Sequence, residues 1–355
     1  MFDFCHYVPI VKTKKGELVG VENLQGQRSS VTPLWEIVGD FEDSEDVERT
    51  ALNKLASKIK KAWEKGGACF VDSRILQEIV VTSGMHPAEM LFEELHSCGV
   101  VAIPVVSPGA PAQYQQAIRN EIQKRGQGVC FRLFLDYEDD EQSSNQDIDN
   151  LLTFFQVGRS SCDIIFDLWT MGISSLSLLA SAIVNTINSV GSINDFRTLT
   201  VASSSFPTSS EIPRGISTVQ RRDWLLWNNI LSKPNLVRKP SYGDYTCLNP
   251  EIIDFDPVTM KPAAKIRYTS QHEWVTFKGK QMKGNGAQYH NLAANVVSRQ
   301  EYMGAIFSWG DTYISGCANK TCGPGNLTNW VMVDVNHHIT YVVYQLQNEI
   351  CPGRS

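Results

Sequence analysis

The chain has 355 residues, of which 42% are hydrophobic and 20% charged, and its formal net charge is −6. This length allows a large core, arranged as two domains or as one large α/β domain with an appendage. The acidic balance argues against non-specific nucleic-acid binding, because such binding needs lysine and arginine to displace the counterions of the phosphates. The nine cysteines are scattered over strand-like positions, which predicts buried free thiols in a reducing compartment and therefore a cytoplasmic protein.

No segment indicates targeting to a membrane. The N-terminal sequence MFDFCHYVPIV lacks the positive region and long apolar run of a signal peptide. The longest apolar run, residues 176–184, is far shorter than the roughly 18 to 20 residues that span a bilayer. We expect a soluble protein with no membrane partner.

The segment VCFRLFLD, residues 129–136, shows the unit that repeats along the chain. Its side chains alternate between two faces, and one face carries Arg132 and Asp136 among apolar residues. Strands that are covered on both faces read as such continuous apolar runs, which is typical of parallel sheets. The repeating unit consists of a helical stretch, a polar or glycine break, a buried strand and a terminal polar residue.

Eight such units occupy residues 1–250 and predict an α/β fold, a (β/α)8 TIM-like barrel. The predicted strands are residues 7–12, 31–38, 68–74, 100–107, 129–136, 162–169, 197–206 and 240–247. The predicted helices are residues 17–24, 44–65, 87–99, 113–125, 145–157, 176–189 and 219–231. A doubly wound open sheet is the alternative, but the sequence VKTKKGEL after the first strand is not its glycine-rich phosphate turn.

The pattern changes beyond residue 249. Residues 265–278 read as antiparallel strand material that turns at Gly279, and residues 289–298 read as a helix. Residues 302–309 and 330–345 read as further strands or helices. We expect residues 251–355 to form a C-terminal extension of mixed strands and helix that packs on the barrel.

Several motifs together resemble the beta protein family, named for the beta protein of the satellite phage P4. They are YVPIVKTKKGEL with VTPLWEI, the central VDSR, the strands that end in aspartate, and the late FSWGD and NHH sequences. The resemblance runs from Tyr7 to about Val343. It implies a protein of prophages and other mobile elements, with a role in anti-phage defence or toxin control. It supplies no reaction and no catalytic residues.

In a barrel of this kind, functional residues lie at the carboxyl ends of the strands. The candidate catalytic residues at or near those ends are Lys12, Glu36, Asp72, Arg132, Asp136, Asp167 and Asp244. Glu36, Asp72, Asp136 and Asp167 could hold Mg²⁺ or Mn²⁺ for phosphoryl chemistry. Without a metal, a carboxylate could act as general base while Lys12 and Arg132 hold an anion. The acids could also simply cap loops and helices.

Further residues are candidates for ligand binding, namely Arg74, Tyr245, Trp309, Asp311 and His337. Zinc is a weak alternative for Cys317, Cys322, His337 and His338, because the spacing fits poorly and adjacent histidines point in opposite directions on a strand. Trp309 to Asp311 reads as a tight turn anchored by a buried tryptophan. No metal site is assigned, and no cofactor is certain, although the carboxylates at the strand ends would suit Mg²⁺ or Mn²⁺.

One basic and aromatic group could contact nucleic acid: Arg214, Arg221 and Arg222 lie near Trp224 and Trp227. Two tryptophans three residues apart are more often the buried face of a helix. The function expected from the sequence is therefore binding of a partner, a protein from the same defence or toxin cluster, or of a ligand at the barrel mouth. The alternative is a metal-dependent hydrolase or nucleotide-processing enzyme.

Overall fold

The computed structural model describes residues 2–39, 49–82, 84–135, 145–172, 174–251 and 261–353. Eight parallel strands form a closed barrel in the order β1-β2-β3-β4-β5-β6-β7-β9, which confirms the barrel prediction. The barrel strands are β1 Tyr7–Lys12, β2 Leu34–Glu36, β3 Cys69–Asp72, β4 Ala102–Val106, β5 Val129–Phe134, β6 Cys162–Thr170, β7 Thr198–Ser204 and β9 Ser241–Asp244.

The helices that connect these strands follow the predicted order. They are α1 Lys15–Glu22, α2 Arg49–Ala62, α3 Pro87–Ser97, α4 Ala112–Arg125, α5 Asn145–Phe155, α6 Leu176–Ser189 and α7 Arg222–Leu231. Pro87 begins α3 as expected of a residue that has no N–H to satisfy. The predicted start of α2 at Ser44 lies outside the described residues.

Alternation along the strands divides the apolar core into two layers. Side chains such as Val8, Phe70 and Cys130 fill the barrel interior. Side chains on the opposite faces, such as Phe131 and Leu133, pack outward against the helices. The alternation predicted for β5 is therefore what places Arg132, two residues after Cys130, inside the barrel.

A small antiparallel sheet lies beside the barrel, in the order β10-β11-β8. Its strands are β8 Gly215–Gln220, β10 Ala263–Thr269 and β11 Glu273–Gln281. The predicted helix over residues 219–231 is thus too long, because its first residues pair with β11. The predicted turn at Gly279 is also wrong: the chain turns earlier, where the Ser270 N–H donates to the Glu273 carbonyl at 2.8 Å.

Three helices complete the C-terminal region: α8 Gln288–Val297, α9 Trp309–Ala318 and α10 Leu327–Gln345. Trp309 and Asp311 begin α9, so the predicted tight turn is wrong. The NHH motif lies within α10, so the strand geometry assumed for the histidines is wrong as well. Helix α10 packs against α1 and β10. The division at residue 250 stays a prediction. Strand β8 precedes that boundary but pairs with β11, which follows it.

A disulfide joins Cys5 to Cys351. The prediction that the cysteines are free thiols is therefore wrong for these two, whereas the other seven are free. In the part of the chain that the structure describes, none of the helices combines the length and the apolar character needed to cross a bilayer.

Candidate functional site

The guanidinium of Arg132 lies at the centre of a buried ionic cluster inside the barrel. Its Nε donates to Asp167 Oδ2 at 2.9 Å and one terminal nitrogen donates to Glu36 Oε1 at 3.1 Å. The same nitrogen donates to Asp72, and the other nitrogen donates to the Tyr245 hydroxyl at 2.7 Å. We call Arg132, Glu36, Asp72, Asp167 and Tyr245 the arginine hub. Strands β2, β3, β5 and β6 and the residue after β9 each supply one member.

Strand register explains why these side chains meet. Lys12 pairs with Glu36, and Glu36 pairs with Asp72, so the last residues of β1, β2 and β3 lie at one level. The Lys12 amine lies 3.6 Å from Glu36 Oε2, and the Arg74 guanidinium lies 3.5 Å from Glu36 Oε1. The three carboxylates of the hub therefore have three cationic neighbours, which offsets their mutual repulsion.

The hub is closed to ligands by its own contacts. Arg132 is fully buried. Burial opposes its charge, but Tyr245 and the carboxylates outweigh burial and hold the pKa of Arg132 well above its usual value. The guanidinium occupies the position between Glu36, Asp72 and Asp167 that a metal ion would need. The donors of Arg132 likewise point at protein oxygens, which leaves them unsuited to holding an anionic ligand.

Two aromatic rings pack against Arg74 beside the hub. The Arg74 guanidinium lies over the Phe134 ring at 4.6 Å and over the Trp169 ring at 5.9 Å. Trp169 has a left-handed backbone with φ 56°. Its backbone N–H donates to Asp167 Oδ1 at 2.8 Å, so this strained residue near the end of β6 is hydrogen-bonded to the hub. Asp136, the remaining acidic candidate of the predicted strand 129–136, lies outside the described residues.

Asp244 belongs to a different buried network. The Tyr7 hydroxyl donates to it, and His338 Nε2 lies 2.9 Å from its Oδ2. Burial raises the pKa of the Asp244 carboxyl, but His338 and Tyr7 outweigh burial and keep it below its usual value. Helix α10 is thereby fixed to the end of β9. Asp244 does not join the arginine hub.

Asp311 and His337 also face each other in the interior. His337 Nδ1 lies 2.8 Å from Asp311 Oδ2, and His337 Nε2 lies 2.9 Å from the Thr269 carbonyl. The Tyr268 hydroxyl donates to Asp311 at 2.8 Å, and its ring stacks on His337. Both Asp311 and His337 are fully buried. Trp309 is partly buried, and its ring lies near that of Tyr313 on the same helix. Asp311 and His337 thus connect α9, α10 and β10 rather than line the barrel mouth.

The suggested zinc residues are not brought together. Cys317 lies beside His290, with Sγ 3.6 Å from Nδ1, and the Cys322 thiol faces the Tyr313 carbonyl at 3.9 Å. Within the described ranges, no group of three or more histidine, cysteine or acidic side chains is placed to hold a metal ion. The basic and aromatic group is not a surface either, since Arg221, Trp224 and Trp227 are buried.

The sequence interpretation missed a cavity of about 410 Å³ between the barrel mouth and the C-terminal region. Its cationic wall residues are Lys12, Lys14, Lys15, Lys265 and Arg267, and its acidic ones are Glu17 and Glu251. We call it the basic cavity. The first turns of α1 and α10 also line it, and helix N-termini favour anions. The KTKK run and the alternating Lys265 and Arg267 were the available sequence signals.

Glu17 gives the basic cavity a carboxyl group with an unusually high pKa. Its Oε2 accepts a hydrogen bond from the backbone N–H of Lys12 at 2.7 Å. Burial dominates over the nearby Lys12 charge and raises the pKa of Glu17 to about 7. A carboxyl with this pKa can change its protonation state near neutral pH.

Several solved structures have a similar arrangement of strands and helices. They are named as enzymes or members of enzyme families, and their sequence identity to this chain is low. The chain is 9% identical to a protein assigned to the dihydrodipicolinate synthase family from Coccidioides immitis, covering 67% of this chain and 65% of that one, with a TM-score of 0.32. It is 10% identical to a mutant tryptophan synthase α-subunit from Pyrococcus furiosus, covering 69% and 89%, with a TM-score of 0.39. It is 11% identical to D-psicose 3-epimerase from Clostridium cellulolyticum H10, covering 67% and 83%, with a TM-score of 0.32.

These likenesses are too weak to carry an argument about activity. A search among curated proteins gives no match. The family comparison is informative, because the profile described as Beta protein matches residues 7–344. That match covers nearly the whole chain and includes β1, the hub strands and the NHH segment of α10. The chain therefore belongs to the beta protein family.

Proposed function

We propose that this protein acts in a mobile-element anti-phage defence or toxin-control system by binding an anionic group of a ligand or of a partner protein in its basic cavity. The observation that carries the proposal is the charge of the cavity wall. Five basic residues and the first turns of two helices line one cavity in a chain whose net charge is −6. Such a concentration of positive charge attracts anions to one place on an otherwise acidic protein.

Some hydrogen-bond donors of the wall residues are not used in contacts within the described part of the chain. Arg267 uses one terminal nitrogen to donate to Asp334 at 2.7 Å, while its Nε is buried without a hydrogen-bond partner among the described residues. Lys14 and Lys15 are exposed at the start of α1. The exposed amines of Lys14 and Lys15 can bind a phosphate or carboxylate without breaking an ion pair of the described residues.

Thermal unfolding in the presence of inorganic phosphate tests the proposal. A ligand that binds only the native state raises its stability in proportion to RT ln(1 + [L]/Kd). We expect phosphate to raise the melting temperature of the wild type more than chloride at equal ionic strength. The variant K14Q/K15Q should lose this difference.

The matched control is K54Q/K58Q, which removes two exposed lysines of α2 and so makes the same change in net charge. It should respond to phosphate as the wild type does. If all three proteins respond equally, or if none responds, the basic cavity is not an anion site and the proposal fails.

The biological part of the proposal needs its own test. Cells that express the chain with its neighbouring genes should resist phage plating, and K14Q/K15Q should reduce that resistance while K54Q/K58Q should not. Equal protection by both variants would show that the defence role does not depend on the cavity.

We also propose a cytoplasmic location, which the seven free cysteines support and the Cys5–Cys351 disulfide opposes, because disulfides are rare in that compartment. Alkylation in intact cells should then label Cys5 and Cys351 as thiols, whereas a persistent disulfide would contradict that location.

An enzyme is the second candidate, and Glu17 is the observation that favours it. A buried carboxyl with a pKa of about 7 beside cationic side chains suits a general base that acts on a bound anion. The metal-dependent form of this hypothesis has less support, because Glu36, Asp72 and Asp167 would have to release Arg132 before they could hold Mg²⁺ or Mn²⁺. A Glu17→Gln variant that binds phosphate but retains full activity would exclude the general-base role.

A further inference from the structure

Lys265, unlike Lys12 and Arg267, forms no ion pair with an acidic side chain among the described residues. It lies on β10 two residues before Arg267, so both side chains leave the strand on the same face. Its amine donates to Ser209 Oγ at 2.9 Å. It forms no ion pair within the described part of the chain, and the nearby Asp334 carboxylate is bound by Arg267 instead.

Positive charge surrounds this amine. Lys278 pairs with Lys265 across the strands β10 and β11, and its own amine donates to the carbonyls of Ser209 and Ile212 at 2.9 and 2.6 Å. Burial, followed by the Arg267 charge, lowers the pKa of Lys265 to about 7. A large share of the Lys265 side chains is therefore uncharged at neutral pH, and an uncharged amine is a nucleophile.

We propose that Lys265 is a reactive amine that forms an imine with a small carbonyl compound bearing an anionic group. The juxtaposition that carries this proposal is a lysine amine without an acidic partner among the described residues, held beside Arg267 and Lys278, in the wall of a cavity that Lys12, Lys14 and Lys15 also line. The lysines at α1 would hold the anion while Lys265 meets the carbonyl carbon. The proposal rests on the anion-binding function above, and a cavity of about 410 Å³ suits a small ligand.

The chemical step needs no further reagent. The Nζ lone pair attacks the carbonyl carbon, and the electron pair of the C=O bond moves to oxygen. A proton passes from nitrogen to oxygen to give a carbinolamine, which loses a second nitrogen proton with its hydroxyl group as water. The products are one C=N bond and one water molecule, so atoms and electrons balance without an oxidant or reductant.

Pyridoxal 5′-phosphate is a suitable probe, because it combines an aldehyde with a phosphate. The folded full chain is incubated with the probe, sodium borohydride reduces any imine to a stable secondary amine, and peptide mass spectrometry locates the label. At pH 7 we expect Lys265 to be labelled at least about tenfold faster than the exposed Lys58, since a lysine of ordinary pKa is almost fully protonated there. Pyridoxal, which lacks the phosphate, should label Lys265 more slowly.

Two controls make the outcome decisive. The variant K265M should remain folded and lose the fast-labelled site, and inorganic phosphate should slow labelling of Lys265 but not of Lys58. Equal labelling of Lys265 and Lys58 at pH 7 would overturn the proposal while leaving anion binding intact if phosphate still stabilises the protein. Fast labelling of Lys265 that phosphate does not slow would instead support the reactive amine and remove the anion site.

Discussion

The arginine hub and the basic cavity are both rich in charge and both lie toward the same end of the barrel, yet they differ in how that charge is satisfied. In the hub, Arg132 donates to Asp167, Glu36 and Tyr245 at distances of 2.7 to 3.1 Å, and it is fully buried. In the cavity, cations outnumber acids, and Lys265 has no acidic partner among the described residues. The hub has the features of a structural element, whereas the cavity has the features of a binding site.

This difference shows why a buried cluster of acids is a poor guide to function when it is considered alone. Burying several carboxylates is costly unless cations accompany them, and here the protein supplies those cations itself. A site for an external ligand instead leaves its own charges partly uncompensated. The comparison can be tested by removing cations from each region and measuring stability.

Removing the cation of the hub should have the largest effect. We expect Arg132→Met to lower the free energy of unfolding by about 3–5 kcal/mol, because it leaves Glu36, Asp72 and Asp167 buried without their shared partner. Urea unfolding monitored by tryptophan fluorescence measures the change. Arg74→Met is the matched control, since Arg74 also approaches Glu36 but is partly exposed, and its loss should cost less than about 1 kcal/mol. Equal losses would show that Arg132 does not hold the hub together.

Glu17 should give an intermediate effect that depends on pH. Its folded pKa of about 7 lies above the ordinary glutamate pKa of 4.5, so the native state binds the proton more tightly than the unfolded state does. The cost of ionising Glu17 is absent below pH 4.5, grows between pH 4.5 and 7, and is complete above pH 7. Glu17→Gln should therefore match the wild type at pH 4 and exceed its stability at pH 8 by on the order of 3 kcal/mol at most.

Urea unfolding of wild type and Glu17→Gln at pH 4, 6 and 8 measures this difference. Glu64→Gln changes an exposed carboxyl and serves as control, with no expected pH-dependent gain. A stability difference for Glu17→Gln that stays constant over this range would contradict the raised pKa.

The exposed lysines of the cavity should give the smallest effect. K14Q/K15Q removes like charges that lie near Lys12, so the urea midpoint without phosphate should equal or slightly exceed that of the wild type. The same experiment on K54Q/K58Q controls for the change in net charge. A clear loss of stability in K14Q/K15Q alone would mean that these lysines hold the fold together, and the contrast between cavity and hub would disappear.

The barrel could be predicted from the sequence because each strand is a short apolar run that ends at a polar residue, and eight such runs fit one closed sheet. The hub residues Glu36, Asp72 and Asp167 were identified in the same way as strand ends. Their role as partners of Arg132 could not be predicted from the sequence, because it depends on the direction in which the long Arg132 side chain points. The predicted strand 31–38 is longer than β2 Leu34–Glu36, because apolar residues continue beyond the paired ones.

The C-terminal region was harder to predict for a physical reason. Helix α10 is buried on nearly all sides, so its apolar residues show no helical period, and its valines, isoleucine and tyrosines also favour strands. The basic cavity escaped notice because its cations come from segments some 250 residues apart, Lys14 and Lys15 on one side and Lys265 and Arg267 on the other. Only the packing of α10 against both α1 and β10 brings them together.

The bond between Cys5 and Cys351 turns almost the entire polypeptide into a covalent ring. One backbone cut anywhere between these residues opens the ring but does not release a fragment. A singly cleaved chain should therefore keep the mass of the intact protein, plus one water, until a reductant is added, and only then separate into two pieces on a gel. Proteolytic mapping of this protein consequently has to be done under both conditions, since the oxidised sample alone hides every first cut.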